Sequence, residues 1–528
     1  MGPTHLYRPS PKPAVAYEQI RNADNEPGNW LTYSGQYHSQ RFSRLSRINT
    51  GNVGQLRVKW VRQFKTQEFV ECSPLVVDGL MIVTLPESKV CALDAKTGLP
   101  YWLYDHPLPD KLAICCGKIN RGVAILGETL YLGTLDAQLV ALDARSGNVV
   151  WKEQVIEHHT GHSITGAPLV VKDMVITGIA GGEFGIRGFI DAYDARTGER
   201  RWRTHTIPAP GEKGNDTWAG DSWRRGGSPT WMTGSFDPAL NLLYWGVGNP
   251  GPDWNGEVRE GDNLYSDCVL ALDPDNGKIK WHFQFTPHDV HDWDACQIPV
   301  LVDLPYRGSP RKLMLFGNRN AFYYVLDRRT GQFLHATAFA RQTWAKEIDA
   351  TGRPVRVPGK LPTVEGNYVC PDVSGAANWW SPTYSPQTNL FYLTAFDGGT
   401  NYFIDRDVEH RPGLPYLGGF GWPSPEMEEF PQRDHVSAVR ALDPLTGERK
   451  WEYRVQVKSM SGLISTAGGL VFGGTRGGQF FALDARTGDE LWRLDLGATV
   501  HAAPITYLVN GQQYVTIAAG NAIFTLGL

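Results

Sequence analysis

Four stretches of this sequence hold residues whose types suit chemistry. Cys115 and Cys116 are neighbours, which seven cysteines spread over 528 residues rarely are by chance. A disulfide between them would close a strained eight-membered ring, outside the usual Cα separation. Strain of that kind collects at functional sites, and forming such a bond needs an oxidising compartment. Glu183 stands among glycines in AGGEFG, Asn249 lies in GNPGP and Asp294 in HDWDAC. A buried carboxylate is costly unless it is paired or meets a cation, and these three would offer hard oxygen ligands suited to Ca2+. Each has a plainer reading alone: a loop Asp more often caps a turn, and Asn before Pro more often forms one. His288 and His291 are read as solvated loop histidines, because no Cys or His cluster with closed zinc-site spacing accompanies them.

Something must bring these scattered residues together, and the chain repeats itself. ALDAKTGLPYW ends at Trp102, ALDARSGNVVW at Trp151, AYDARTGERRW at Trp202, ALDPDNGKIKW at Trp281, ALDPLTGERKW at Trp451 and ALDARTGDELW at Trp492. VLDRRTGQFLH keeps Asp327 and Gly331 but places His335 where the others have Trp. A short apolar strand runs into a turn in which Asp caps backbone N–H groups and Gly takes the positive φ, and a second strand carries the Trp. Copies start at 92, 141, 192, 271, 325, 441 and 482, a period that marks an array of supersecondary units and suits four-stranded propeller blades. The gap from 325 to 441 is expected to hide a degenerate blade at Asn378–Phe396, which makes eight. The strand at Leu56–Phe64 is expected to complete the blade begun by Tyr514–Leu528, since a closed ring must hide its edges. The predicted fold is all-β, an eight-bladed β-propeller with tryptophan-docking repeats over 28–528. Residues 1–27 are expected to be a poorly ordered arm, and 341–377 and 398–436 to be irregular lids or binding loops.

Composition narrows the function. The net charge is −4 with no basic stripe, which excludes nucleic acid as a partner. No apolar run reaches the ~18 residues of a membrane helix. The first thirty residues lack the apolar core of a signal peptide, so the chain is either cytoplasmic or a mature form, and the adjacent cysteines favour the second. No Cys-x-x-Cys-His occurs, so this chain carries no covalently attached c-type haem.

Taken together, the Trp repeats, the adjacent cysteines followed by NRG, TGAP, GGEFG, GNPGP, TPHD…WD and NRNAFYYVLDR resemble the quinoprotein alcohol dehydrogenases. These are eight-bladed propellers that bind pyrroloquinoline quinone (PQQ). The resemblance runs from about Trp30 to the C-terminus. It implies that Cys115 and Cys116 form a disulfide on one face of the quinone and that Trp231 stacks on the other. Glu71, Arg121, Thr165 and Asn378 match polar contacts to the cofactor, and Gly181 and Gly182 belong to its shell. Glu183, Asn249 and Asp294 match the ligands of a Ca2+ ion. Asp294 matches the base that takes the alcohol's proton, while hydride passes to the quinone and Arg319 assists at its carbonyl. In lanthanide-dependent members a second Asp lies two residues beyond the base; here that position is Cys296, a poor ligand for a hard trivalent ion. The resemblance further implies oxidation of a small alcohol to an aldehyde, an outside electron acceptor such as soluble cytochrome c, and a periplasmic location. Two other readings stay open at this point: a non-catalytic propeller scaffold, for which the site residues would have no use, and a quinoprotein acting on sugars or aldehydes.

Overall fold

The computed structural model describes residues 4–5, 10–423 and 436–528. Strands dominate, as the turn-rich repeats predict. Eight sheets of four or five strands follow one another. The first is built from Leu75–Val77, Leu80–Leu85, Lys89–Asp94 and Pro100–Tyr104, each strand pairing antiparallel with the next. Six more have the same plan. The eighth joins Arg57–Gln63 to Ala522–Gly527, so the two ends of the ordered sheets share one ladder, as expected from sequence.

The repeat spans the third strand, the turn and the fourth strand of its sheet. In all seven copies the Asp side chain accepts backbone N–H groups of the turn, from Asp94 in the first to Asp484 in the last. The Trp then pairs across the ladder with an alanine, as Ala92 with Trp102 and Ala482 with Trp492. A bulge follows at once and turns the indole away from its own sheet. Trp102 donates Nε1–H to the carbonyl of Ala144 in the next sheet's turn at 3.2 Å. Trp60, Trp151, Trp202 and Trp451 do the same to Ala95, Ala195, Pro274 and Ala485. Each of these indoles, and that of Trp281, lies so close to the next turn's glycine that a Cβ there would come within 2.5–2.7 Å of the ring. His335, the exception, still reaches the next turn, its Nε2 meeting the Thr446 carbonyl at 2.8 Å.

Three expectations need correction. Asn378–Phe396 is not a blade of its own: Thr383–Ser385 and Leu390–Asp397 form the first half of the sheet whose second half carries the repeat at Ala441. The eighth sheet comes instead from the paired chain ends. Residues 10–27, expected as a poorly ordered arm, carry a helix at Tyr17–Arg21 and bury Val15 and Ile20, because two apolar side chains outweigh a polar, Pro-rich composition. The segments 341–377 and 398–436, expected to be irregular, hold Ala345–Ile348 paired with Pro354–Arg356 and a three-stranded sheet of Asn367–Val369, Thr400–Ile404 and Gly419–Pro423. Residues 424–435 of the second lie outside the described residues.

The indole contact can be measured against a control. Gly147 (φ +73°) lies under the Trp102 ring, whereas Gly211 (φ +89°) has nothing within 4 Å of an added Cβ. Gly211→Ala should cost only the left-handed conformation, about 1 kcal/mol. Gly147→Ala adds overlap with the indole, about 2–4 kcal/mol in all. Urea unfolding of both variants checks this, and equal losses would show that the ring contact contributes nothing.

Candidate active site

In an antiparallel four-stranded sheet, the start of strand one and the connection between strands two and three lie at the same end. The repeat's turn, between strands three and four, lies at the other. The candidate residues sort by this parity. Glu71 precedes the first strand of the first sheet, and Cys115, Cys116 and Arg121 precede that of the second. Thr165 does so for the third sheet, Trp231 for the fourth, Asp294 for the fifth and Asn378 for the sixth. Glu183, Asn249 and Arg319 sit between strands two and three of the third, fourth and fifth sheets. All of them therefore stand at one end, opposite the Asp–Gly turns.

Asp294 is the centre of this end. It is buried, and its Oδ1 accepts the backbone N–H of Asn249 at 2.9 Å. Its Oδ2 accepts Trp231 Nε1–H at 3.2 Å and Arg319 Nη1–H at 2.6 Å. Gly248 permits this approach, since a Cβ there would lie 2.1 Å from Oδ1. Arg319 is fixed in turn by Nη2, which donates to the Val373 carbonyl at 2.6 Å and lies 3.4 Å from Asp292. From Trp231 the contacts run outward. The Arg121 guanidinium lies over the Trp231 ring at 4.9 Å and over Trp379 at 4.6 Å, and it pairs with Glu71 at 3.0 Å. Arg121 N–H also donates to the Thr165 carbonyl at 3.0 Å. The sulfurs of Cys115 and Cys116 are at bonding distance, 2.10 Å, and both lie within 4.8 Å of a Glu183 carboxylate oxygen. Gly181 and Gly182 let this loop pass close by: a Cβ on Gly181 would lie 2.2 Å from the Gly161 carbonyl, and one on Gly182 would meet Pro229 at 2.9 Å. Asn378 alone turns inward on its own loop, its amide bonding the Ser374 carbonyl and the Trp379 N–H.

Electrostatics mark the place as one that wants positive charge. Burial pushes the Glu183 carboxyl up to about 7, and the nearby Asp294 charge adds to this. Asp253 and Asp292 are driven well above the carboxylate range, first by burial and then by neighbouring carboxylates, including Glu183 and Asp294. Four carboxylates thus face one guanidinium, Arg319. Low dielectric makes uncompensated charge expensive, and an oxygen-rich set of this kind fits a hard cation. At the outer side, Arg121 Nε, Arg319 Nε and His501 Nε2 are buried without hydrogen-bond partners, with His501 Nδ1 3.9 Å from Glu71. Guanidinium donors beside the Trp231 ring and the bonded sulfurs suit a flat anionic heterocycle.

Sequence reasoning missed Asp253, Asp292, Trp379 and His501. A carboxylate among the Gly and Pro of GNPGPDW was the available signal for Asp253, and the first Asp of HDWD for Asp292. Of the two histidines read as solvated, His291 is not, and His288 is half-buried. His291 is buried, stacks on Trp293 at 4.3 Å and meets the Lys360 carbonyl at 2.9 Å, while His288 Nδ1 meets the Gly261 carbonyl at 2.8 Å.

Comparison with known proteins gives the same picture. The family described as PQQ: glucose/ethanol/alcohol dehydrogenase, beta-propeller domain matches residues 30–338 and 453–515. The chain is 38% identical over 535 residues to the quinoprotein alcohol dehydrogenase PedH of Pseudomonas putida, covering 96% of this chain and 88% of that protein. It is 38% identical to the lanthanide-dependent methanol dehydrogenase of Methylacidiphilum fumariolicum, covering 96% and 87%. Among solved structures, the quinohemoprotein alcohol dehydrogenase ADHIIG of Pseudomonas putida superposes with a TM-score of 0.92 at 36% identity, covering 98% of this chain and 83% of that one. A europium-containing methanol dehydrogenase does so with a TM-score of 0.89 at 34% identity, covering 97% and 100%.

The cysteines give the test of this geometry. Mapping of unreduced peptides is expected to find Cys115 and Cys116 bonded to each other, lighter by two hydrogens. Cys72, Cys91, Cys268, Cys296 and Cys370, all buried and unpaired, should alkylate only after unfolding. Two free thiols at 115 and 116 in protein made under oxidising conditions would contradict the pairing.

Proposed function

This chain belongs to the quinoprotein (PQQ-dependent) alcohol dehydrogenase family, a family of β-propeller enzymes, and we propose that it oxidises small alcohols to aldehydes with PQQ and Ca2+ at the Asp294 end of the sheets. The observation that carries the proposal is the threefold grip on Asp294. Arg319 and Trp231 occupy Oδ2, and the Asn249 N–H takes one lone pair of Oδ1. The free lone pair of Oδ1 is then left to accept the alcohol's hydroxyl proton. Arg319 holds the Asp294 carboxylate in place through Oδ2. When bound, PQQ supplies the two-electron acceptor for the alcohol's hydride, and the metal ion supplies a Lewis acid beside it.

The chain's own residues define where these groups would sit. Glu183, Asn249 and Asp294 would hold the ion. Trp231 and the Cys115–Cys116 pair would bracket the quinone, and Glu71, Arg121 and Thr165 would bind its polar edge, joined by Asn378 once its amide turns from the Ser374 carbonyl, with Gly181 and Gly182 leaving room beside it. The unpartnered Nε atoms of Arg121 and Arg319 are donors suited to its carboxylates and carbonyl. Ca2+ is proposed over a lanthanide because Cys296 is buried among apolar residues such as Met232 and Ile298, where a further carboxylate would be needed. We infer as well that the eight sheets close into one eight-bladed ring. The indole contacts run from sheet to sheet, and Trp60, in the sheet shared by both chain ends, reaches the first sheet's turn. Electrons pass to an outside acceptor such as soluble cytochrome c, in keeping with the lack of a Cys-x-x-Cys-His motif. A periplasmic site agrees with the bonded cysteines, and among the described residues no helix is long and apolar enough to cross a membrane.

Absorbance after addition of PQQ and Ca2+, with and without a panel of alcohols, tests the reading directly: no spectral change with any alcohol would refute it. Asp294→Asn should bind cofactor and fold normally, yet lose about 10²–10⁴-fold in turnover, as expected for removal of a general base. Trp231→Phe keeps a ring for stacking but removes the Nε1–H donor to Asp294. It should cost about 10–100-fold in turnover, the worth of one hydrogen bond to a charged group, with cofactor still bound.

Metal identity has its own test. Chelated wild type reloaded with PQQ should regain activity with Ca2+, and Cys296→Asp should move the preference toward a lanthanide. Wild-type activity with a lanthanide and none with Ca2+ would reverse the assignment.

A further inference from the structure

Asp253 belongs to none of the roles above, yet it is only 1% exposed and lies four residues beyond Asn249. Its Oδ1 accepts Asn249 Nδ2–H at 2.9 Å. A carboxamide has a donor end and an acceptor end of nearly the same shape, so tying one end decides where the other points. With Nδ2 held by Asp253, the Asn249 Oδ1 faces Gly182, whose added Cβ would lie 3.5 Å from it. Gly182 immediately precedes Glu183. At its other end Asn249 is held by its backbone N–H on Asp294.

The carboxylate is not needed to hold this loop's backbone. Arg259 already does so, with Nε and Nη2 on the Pro252 carbonyl at 3.1 and 3.0 Å and Nη2 on the Asp253 carbonyl at 3.4 Å. Trp254 N–H is tied to the Leu417 carbonyl at 3.0 Å. A neutral side chain could also accept the Asn249 N–H. A buried charge beside Glu183, Asp292 and Asp294 carries a large desolvation cost that a neutral acceptor avoids, unless a cation offsets it.

We propose that Asp253 is a positioning residue of the cation site. It locks the Asn249 amide with its oxygen turned toward Glu183 and adds negative charge behind that oxygen. The inference rests on the reading of a metal held by Glu183, Asn249 and Asp294. A partner of this kind, one shell out from a metal, typically changes affinity by about 10–100-fold.

Two variants separate this role from a structural one. Asp253→Asn keeps an acceptor but loses the charge, and Asp253→Ala loses both. Calorimetric titration of Ca2+ into chelated, PQQ-loaded protein should show both variants binding about 10–100-fold more weakly than wild type. Thermal melting of the chelated, PQQ-free proteins should show Asp253→Asn as stable as wild type or more so, because the amide keeps the acceptor for Asn249 and needs no counter-charge. Wild-type affinity in both variants overturns the proposal. So does a drop in metal-free melting temperature with unchanged affinity, which would make Asp253 a prop for the turn. Should Asp253→Ala fail to fold, the titration of Asp253→Asn decides alone. A wild type that takes up no ion would overturn the metal reading and this inference together.

Discussion

The molecule's active end depends on one constraint: several carboxylates are crowded together where little water reaches them. Glu183, Asp253, Asp292 and Asp294 come from three separate connections, and the Arg319 guanidinium is set among them, bonded to Asp294 at 2.6 Å and 3.4 Å from Asp292, with Arg259 beside Asp253. Charges of one sign repel strongly at low dielectric, so nothing intrinsic to these loops would gather them. The gathering is imposed from outside, by sheets rigid enough to hold the loops against that repulsion. Glycines at 182 and 248 then remove the side chains that would keep the carboxylates farther apart.

The rigidity comes from the opposite end of the same sheets. Six indoles fill the space above the next turn's glycine, and five of them, those of Trp60, Trp102, Trp151, Trp202 and Trp451, also donate to a carbonyl of that turn, which ties the spacing and rotation of neighbouring sheets. Strand parity keeps this girdle away from the chemistry, because the turns that carry it cannot lie at the end where strands begin. Stability and function thus occupy separate residues of the same strands. His335 shows how tolerant the girdle is: a smaller ring still reaches the next turn's carbonyl, so the contact's reach matters more than the indole itself.

The same division explains what could be read from sequence. The Asp-capped turns and the shared ladder of the chain ends are legible, and so are the candidate residues at 71, 115, 116, 121, 183, 249 and 294 that stand together at one end of the sheets. Turn chemistry acts within a few residues, and the remaining signals are distinctive as short strings. Asn378–Phe396 does not read as half a sheet because the other half lies some forty residues on, beyond the strands Thr400–Ile404 and Gly419–Pro423 of a separate small sheet, and no local pattern records that pairing. His291 looked solvated because its neighbours in sequence are polar, while its partners, Lys360 and Tyr402, come from distant segments. Asp253 escaped for a similar reason. Its contact with Asn249 is local, but its significance comes from charges on other loops.

The cover over this end is tied to the same loops. Tyr416 N–H donates to the carbonyl of Glu183 at 2.7 Å, and the carbonyl of Leu417, the next residue, accepts Trp254 N–H at 3.0 Å. Asn255 Nδ2 reaches back to the Asp405 carbonyl at 3.0 Å. One short segment therefore bridges the loop that carries Glu183 and the loop that carries Asn249 and Asp253, through its backbone at Asp405, Tyr416 and Leu417 and through the side chains of Arg406 on Glu257 and His410 on the Phe184 carbonyl. The other side chains of the segment can change without touching these bonds. The cover's outer face is thus free to take whatever shape a substrate requires, while the distance between Glu183 and Asn249 stays set.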